Sequence, residues 1–262
     1  MKNRTLLILL TATFIVGLAA FAPASLIEGS ANRAMAPHAA IKISAGTIWS
    51  GTGTLLLFPA ARPLVVPVSW RFDPLALLQL RIGYYVHAKS ASIAGNTRIG
   101  AGFGSIQLSN TALKIDMSLV SRLQPLVSLL NPKGALAINI NDGNSVTVAA
   151  ESSSGVLTAD GSCIAQIANL TLRNLSPRPL GSYAIAIKLK NSQAEFVVDG
   201  ATGPLKLDGG GSVTWGSQRN FTYHGMAGAP LNTNGALLLA PLLATGKLTP
   251  DGRVKININT KW

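Results

Sequence analysis

The acidic side chains are the first candidates for chemistry, because paired carboxylates can act as a general acid and a general base. The chain has ten acids, and five of them directly precede a glycine: Asp142, Asp160, Asp199, Asp208 and Asp251. An Asp-Gly pair favours a tight turn, because glycine adopts the positive φ that such turns need. The other acids show no paired spacing. The acids therefore predict turns rather than a catalytic centre.

The other reactive residue types do not form a recognisable site either. His38, His87 and His224 are isolated and lack the spacing of zinc ligands. The single cysteine, Cys163, lies in an apolar stretch typical of a small buried residue. The GAGFG stretch at 100–104 lacks the Lys and Ser/Thr of a phosphate-binding loop, and no G-x-S-x-G motif occurs. We therefore expect no catalytic residue, no metal and no cofactor.

The charge is strongly positive but dispersed. The sequence has 22 basic and 10 acidic residues, a net charge of +12, and only 12% charged residues against 48% hydrophobic ones. Because no dense basic run occurs, we expect no nucleic acid partner. Two interpretations of the charge stay open, namely solubility with protection of strand edges by lysine, and attraction to anionic lipid surfaces.

The N-terminus predicts delivery to a membrane. Residues 1–4 carry Lys2 and Arg4, and residues 5–27 are uncharged over a length that can span a bilayer as a helix. The positive flank predicts a cytoplasmic N-terminus and an exported remainder. A cleaved signal peptide is the alternative. We expect an n-region at 1–4, a transmembrane anchor at 5–27, a linker or short helix at 28–40 and a β domain at 41–262.

The β domain is predicted from alternation and turn signals. Ile41 and Ile43 alternate with polar residues, and so do Val254, Ile256 and Ile258 in the last strand. Asp73-Pro74 predicts the start of a short helix. The pattern G-x-L-x-x-D-G occurs three times, ending at Asp160-Gly161, Asp208-Gly209 and Asp251-Gly252. We expect each copy to be a strand, an Asp-Gly turn and a return strand, and the hairpins to stack into one antiparallel sheet.

Two motifs connect the chain to a known family. The stretch GTIWSG at 46–51 follows the first predicted strand, and Trp70 begins a W-x-x-D-P-L-x-L-L pattern. With an N-terminal anchor before them and β repeats after them, this order resembles the type II secretion system protein N family over essentially the whole chain. Six residues match signature positions, and we expect an architectural role for them: Gly46, Thr47, Trp49, Ser50, Gly51 and Trp70.

The resemblance implies a location and a role. It implies a single-pass protein of the cell inner membrane with a periplasmic domain, part of the machine that exports folded proteins across the outer membrane. Its partners would be other subunits of the inner-membrane platform and inner membrane lipid. It implies no catalytic residues.

The fold also resembles the AsmA-like proteins, in which a curved antiparallel sheet forms a half-pipe with an apolar groove. That resemblance implies a different function, lipid binding or lipid transport in envelope biogenesis, with a possible lipid ligand in the groove. The tryptophans leave the same choice open, because they are expected either to anchor a thin sheet or to line a surface that faces lipid or a partner.

Overall fold

The structure is a computed structural model, and it describes the greater part of the chain. The described residues are 10, 17, 20–58, 63–102, 104–119, 131–150, 156–174, 178–216, 219–230, 239–240, 243 and 246–261. The elements whose bounds are described are one α-helix, one 3-10 helix and fourteen β-strands.

The α-helix and the 3-10 helix belong to the N-terminal third of the chain, and residues 117–119 and 239–240 are also helical. Helix α1 spans Ser25–Met35, and the 3-10 helix spans Pro74–Gln79. The strands are β1 (Ala39–Gly46), β2 (Ser50–Leu57), β3 (Leu64–Asp73), β4 (Ile82–Lys89), β5 (Ile93–Gly102), β6 (Ser105–Asp116), β7 (Pro132–Ala150), β8 (Leu157–Leu172), β9 (Gly181–Lys190), β10 (Gln193–Thr202), β11 (Lys206–Thr214), β12 (Asn220–Gly228), β13 (Gly246–Leu248) and β14 (Val254–Lys261).

All fourteen strands belong to one antiparallel sheet. Strands β1 to β12 lie side by side in chain order, so that each pairs with the next. Strand β14 then pairs with β12, and the three residues of β13 lie outside β14. The prediction of a mainly β protein with one antiparallel sheet is confirmed, and the curvature into a half-pipe stays a prediction.

The buried apolar core of the C-terminal half lies near one end of the sheet. It contains Leu180, Leu205, Ala227, Leu239, Val254 and Ile256. The alternation predicted for the last strand is confirmed, because Val254 and Ile256 are buried while Lys255 and Asn257 are exposed. Burial of apolar surface at about 25 cal/mol per Å² is the main favourable contribution to such packing.

The interpretation of the Asp-Gly pairs is wrong for two of the three repeats. Asp160-Gly161 lies inside β8 and Asp208-Gly209 inside β11; only Asp251-Gly252 lies in the turn before β14. Gly161 has φ +138°, and a Cβ there would lie 1.9 Å from the Ser145 carbonyl oxygen. The register between β7 and β8 shifts beside it. The positive φ therefore serves a distorted strand where two backbones approach closely, not a turn.

Two further expected Asp-Gly turns are also wrong. Asp142 lies within β7 and Asp199 within β10, and each is next to a shift in strand register. A break in register requires the same conformational freedom as a turn, so the dipeptide alone does not distinguish the two.

The helix start at Asp73-Pro74 is confirmed. The Asp73 carboxylate accepts a hydrogen bond from the Leu75 amide at 3.1 Å, and Pro74 occupies the first helical position. The helix is of the 3-10 type and ends at Leu80, which has a left-handed conformation. The local signal thus gave the position, while the short length explains the tighter 3-10 geometry.

The expected membrane anchor falls mostly on residues that the structure does not describe. Of residues 5–27, the structure describes 10, 17 and 20–27. In the described part of the chain, no helix is both long enough and apolar enough to cross a membrane. Helix α1 begins at Ser25, inside the range expected for the anchor, and occupies most of the range expected to be a linker or short helix. The anchor stays a prediction for the undescribed residues.

Candidate functional site

The GTIWSG stretch forms the hairpin that joins β1 to β2. Gly46 pairs with Gly51 across the two strands, and the Thr47 amide donates to the Ser50 carbonyl at 2.8 Å. The Thr47 hydroxyl oxygen accepts from the Trp49 amide at 3.2 Å and from the Ser50 amide at 3.3 Å. The Thr47 hydroxyl therefore provides an acceptor for two backbone amides in the turn between the strands.

Trp70 lies on β3 directly opposite Gly51, and its indole covers the hairpin. The indole Nε1 donates to the Thr47 carbonyl at 3.2 Å. A Cβ on Gly51 would lie 2.5 Å from Cζ2 of the indole, and one on Gly53 would lie 3.4 Å from Cζ3. The indole ring of Trp70 thus occupies the space that side chains at positions 51 and 53 would need, so the two glycines and Trp70 are structurally coupled.

Trp49 connects the same hairpin to β3 and β4 by aromatic contacts. Its ring packs edge to face against Phe72 at a centroid distance of 4.7 Å, and Phe72 packs against Tyr84 at 5.8 Å. The Phe72 amide donates to the Trp49 carbonyl at 2.6 Å. Edge-to-face pairs of this kind stabilise beyond the area they bury. Burial raises the pKa of the Tyr84 hydroxyl above its usual value.

The hairpin also binds the chain segment at 22–24, which follows the expected anchor. Pro23 forms a bridge with Thr47, the Ala24 amide donates to the Gly46 carbonyl at 3.2 Å, and the Ile48 amide donates to the Ala22 carbonyl at 3.0 Å. Ala24 is fully buried. The sequence did not predict this contact, because residues 22–24 were expected to belong to the anchor. Pro23 was the available signal, because proline removes the amide that a continuous helix needs.

Helix α1 covers the outer edge of β1 with two side chains. The Asn32 amide group accepts from the Ile41 amide at 2.6 Å and donates to the Ile41 carbonyl at 3.0 Å. The Glu28 carboxylate accepts from the Ile43 amide at 3.0 Å. Glu28 and Asn32 are four residues apart and lie on one face of the helix. Their side chains therefore make some of the hydrogen bonds that a neighbouring strand would make to β1. This edge of the sheet is therefore closed to a further strand.

A wholly apolar cavity of about 200 Å³ lies between helix α1 and the sheet. Ile27 and Ala31 of the helix lie on one side, and the other side is formed by Ile41, Ile43, Val68, Trp70, Tyr84, Val86 and Ile99. The alternate positions of β1, β3 and β4 thus present one apolar face, and the signature residue Trp70 forms part of the cavity wall. Such a cavity favours an apolar ligand over water.

The end of β3 is fixed by a buried ion pair. Asp73 is 1% exposed and accepts from Arg98 Nε on β5 at 2.6 Å, with the second guanidinium nitrogen also in contact. Arg98 lies over the Tyr85 ring at 5.8 Å. The carboxylate thus accepts hydrogen bonds from Leu75 and Arg98 and is paired with the Arg98 charge, which is the condition under which burial of a charge is tolerated.

The structure brings all six signature residues into one cluster across β1, β2 and β3. We call it the signature cluster: Gly46, Thr47, Trp49, Ser50, Gly51 and Trp70. Its contacts are strand pairing, hydrogen bonds of the Thr47 hydroxyl and the Trp70 indole to the backbone, and ring packing. Among the described residues no group of three His, Cys, Asp or Glu side chains could hold a metal ion. The cluster is suited to holding chain segments together.

A comparison with protein families agrees with the motifs. The family model for the type II secretion system (T2SS), protein N, matches residues 39–258, from the first residue of β1 into β14. No curated protein and no solved structure shows significant similarity to the chain. The AsmA-like relationship stays a prediction. Since the match covers the signature cluster and nearly the whole sheet, the chain belongs to the type II secretion system protein N family.

Proposed function

We propose that this chain is a non-enzymatic component of the type II secretion system that assists the export of folded proteins across the outer membrane. The single observation that carries the proposal is the family match over residues 39–258, which includes the entire signature cluster. The chain would act through contacts with the subunits of the inner-membrane platform. Its N-terminus would lie in the cytoplasm, one span in the inner membrane, and the sheet in the periplasm.

The two outer edges of the sheet differ, and this difference supports one of them as the surface for the platform contacts. Helix α1 closes the edge of β1 through Glu28 and Asn32. At the other side, β13 pairs only with Val254–Ile256 of β14. Of the residues that the structure describes, none pairs with the outer side of 257–261. An open strand edge can accept an extended segment of a partner by β-augmentation, so we place the platform contact on this part of β14.

Secretion itself tests the proposal. Deletion of the gene is expected to lower the amount of folded exoprotein in the medium, and expression of the intact chain in trans to restore it. Total exoprotein in the cells serves as the control for expression. If secretion is unchanged by the deletion and the apparatus also assembles normally, the proposal is wrong.

A second candidate function, lipid binding, is favoured by the apolar cavity beneath helix α1. The cavity has an apolar lining surface and a volume of about 200 Å³, enough for part of an acyl chain rather than a whole lipid. Ile27 forms part of its wall and is still 42% exposed, so the cavity reaches the surface. Under this alternative, the chain would hold lipid without depending on a partner subunit.

A further inference from the structure

A group of exposed leucines surrounds the 3-10 helix. Within eight residues, five large apolar side chains are between 51% and 82% exposed: Leu75, Leu77, Leu78, Leu80 and Ile82. Ala76 is the only buried residue of the helix, so the helix rests on the sheet through one small side chain. We call these five side chains the leucine patch. Contiguous exposed apolar groups of this kind mark a contact with another molecule or a membrane.

Strand directions place the leucine patch at the same end of the sheet as the signature hairpin. Strand β1 ends at Gly46. Strands β1 and β3 are both antiparallel to β2, so β3 ends at the same end of the sheet, where it leads into the 3-10 helix. The contacts of Trp49 with Phe72 join the two features directly. Strands β1 and β3 are separated only by β2, so the lateral distance between them is about 10 Å.

The chain enters the sheet at this same end, directly after the uncharged residues 5–20. Ala22 and Ala24 are hydrogen-bonded to the signature hairpin, which fixes the place of entry. Two neighbouring apolar side chains are also highly exposed, Phe21 at 81% and Leu26 at 71%. The end of the sheet that holds the leucine patch thus also holds exposed apolar groups of the entering chain.

The charges around the leucine patch fit an anionic surface. Arg71 is exposed at one end of the segment and Arg81 is half-buried near the other, while its one acid, Asp73, is buried and paired with Arg98. No free negative charge therefore occurs from Arg71 to Ile82. Apolar side chains bordered by arginines are the composition of segments that enter the interface of an anionic bilayer.

We propose that the leucine patch inserts into the surface of the lipid bilayer beside the point where the chain enters the sheet. This proposal rests on the anchoring in the inner membrane that is part of the proposed function. The bilayer is favoured over a protein partner, because entry of the chain at this end brings the patch to the membrane without a further subunit. The contact orients the sheet, with the opposite end of β4 pointing away from the lipid. Strand β4 has eight residues, so the two ends differ in height by up to about 27 Å.

Fluorescence quenching by brominated lipids tests the orientation. Cys163 is the only cysteine, so Cys163→Ser gives a background in which a single new cysteine can carry an environment-sensitive dye. Leu78→Cys reports on the leucine patch, and Leu75→Cys is a second position in it. Ala91→Cys is the matched control, an exposed residue in the turn after β4 at the opposite end. The full chain is reconstituted into phosphatidylcholine–phosphatidylglycerol vesicles brominated near the headgroup end of the acyl chains.

We expect quenching at positions 78 and 75, with a depth of roughly 5–10 Å below the headgroups, and none at position 91. Equal quenching at all three positions, or none at 78 and 75 in chains that float with the vesicles, would overturn the proposal. Chains that do not float would overturn both the contact and the anchoring. No secretion subunit is present in the vesicles, so each of these results is independent of the secretion phenotype.

Discussion

At the scale of single residues, the contacts of Gly51 and Trp70 predict that the hairpin does not tolerate a side chain at its second glycine. The indole of Trp70 lies where a Cβ would be, and the Ala45 carbonyl oxygen is only 2.6 Å from the same point. One of these neighbours is backbone in a paired strand, which cannot move without breaking the ladder of β1 and β2. The steric conflict is therefore expected to reach the whole hairpin.

A pair of glycine substitutions tests this coupling. Gly51→Ala is expected to lower the free energy of unfolding by about 2 kcal/mol, because overpacking displaces the Trp70 ring. Gly29→Ala is the matched control, since no atom lies within 4 Å of its added methyl group and alanine favours the helix by up to about 1 kcal/mol. Urea unfolding followed by tryptophan fluorescence measures both. Equal stability of the two variants would show that the ring and the glycine are not coupled.

At the scale of secondary-structure elements, the side chains of helix α1 act as a substitute for a strand. The three hydrogen bonds from Glu28 and Asn32 satisfy backbone groups of Ile41 and Ile43 that face away from β2. Unpaired groups on an edge strand promote association between chains. The helix therefore closes one edge of the sheet.

Removal of both side chains tests this role. Glu28→Ala with Asn32→Ala is expected to lower the free energy of unfolding by about 2 kcal/mol, at roughly 1 kcal/mol or less per lost hydrogen bond. Hydrogen exchange at the Ile41 and Ile43 amides should become faster, and size-exclusion chromatography should show dimers or larger species. Ser30→Ala is the control, because the Ser30 hydroxyl donates to the Ile27 carbonyl within the helix and not to β1. A double variant that exchanges and elutes like the control would contradict the proposed closure.

The same elements show which features the sequence could predict. The 3-10 helix was predictable because Asp73 and Pro74 act on the neighbouring amides. The Asp160-Gly161 pair does not by itself distinguish a turn from a distorted strand, because both need the same positive φ, and only the position of Ser145 on the partner strand separates them. The edge closure by Asn32 has no local signal, since its partner Ile41 is nine residues away and held by tertiary packing.

For the candidate site, sequence and structure contributed different parts. The motif identified Gly46–Gly51 and Trp70 as belonging together, and the structure shows that they share one cluster of contacts. The binding of residues 22–24 to this cluster was not predicted, because the uncharged composition of 5–27 obscured the break at Pro23. Composition reports the preference of a segment for lipid, but not where the folded domain begins.

At the scale of the whole molecule, the sheet has two unlike edges and two unlike ends. One edge is covered by helix α1, and the other is β14, whose residues 257–261 pair with β12 on one side. One end carries the signature hairpin, the entering chain and the leucine patch. By strand direction, residues 257–261 of β14 lie toward this same end, at the opposite edge of the sheet from β1. A domain held at the membrane by that end would leave this edge open to a neighbouring subunit.

Photo-crosslinking in living cells tests whether this chain contacts the inner-membrane platform of the secretion system. A photo-reactive amino acid replaces Ile48 in the signature hairpin or Asn259 on the outer part of β14, with Ala91 as the control position, and adducts are purified and identified by mass spectrometry. We predict that Asn259 captures subunits of the inner-membrane secretion platform and that Ala91 does not. Capture of lipid alone, with no secretion subunit at Ile48 or Asn259, would contradict the proposed role and favour lipid binding instead.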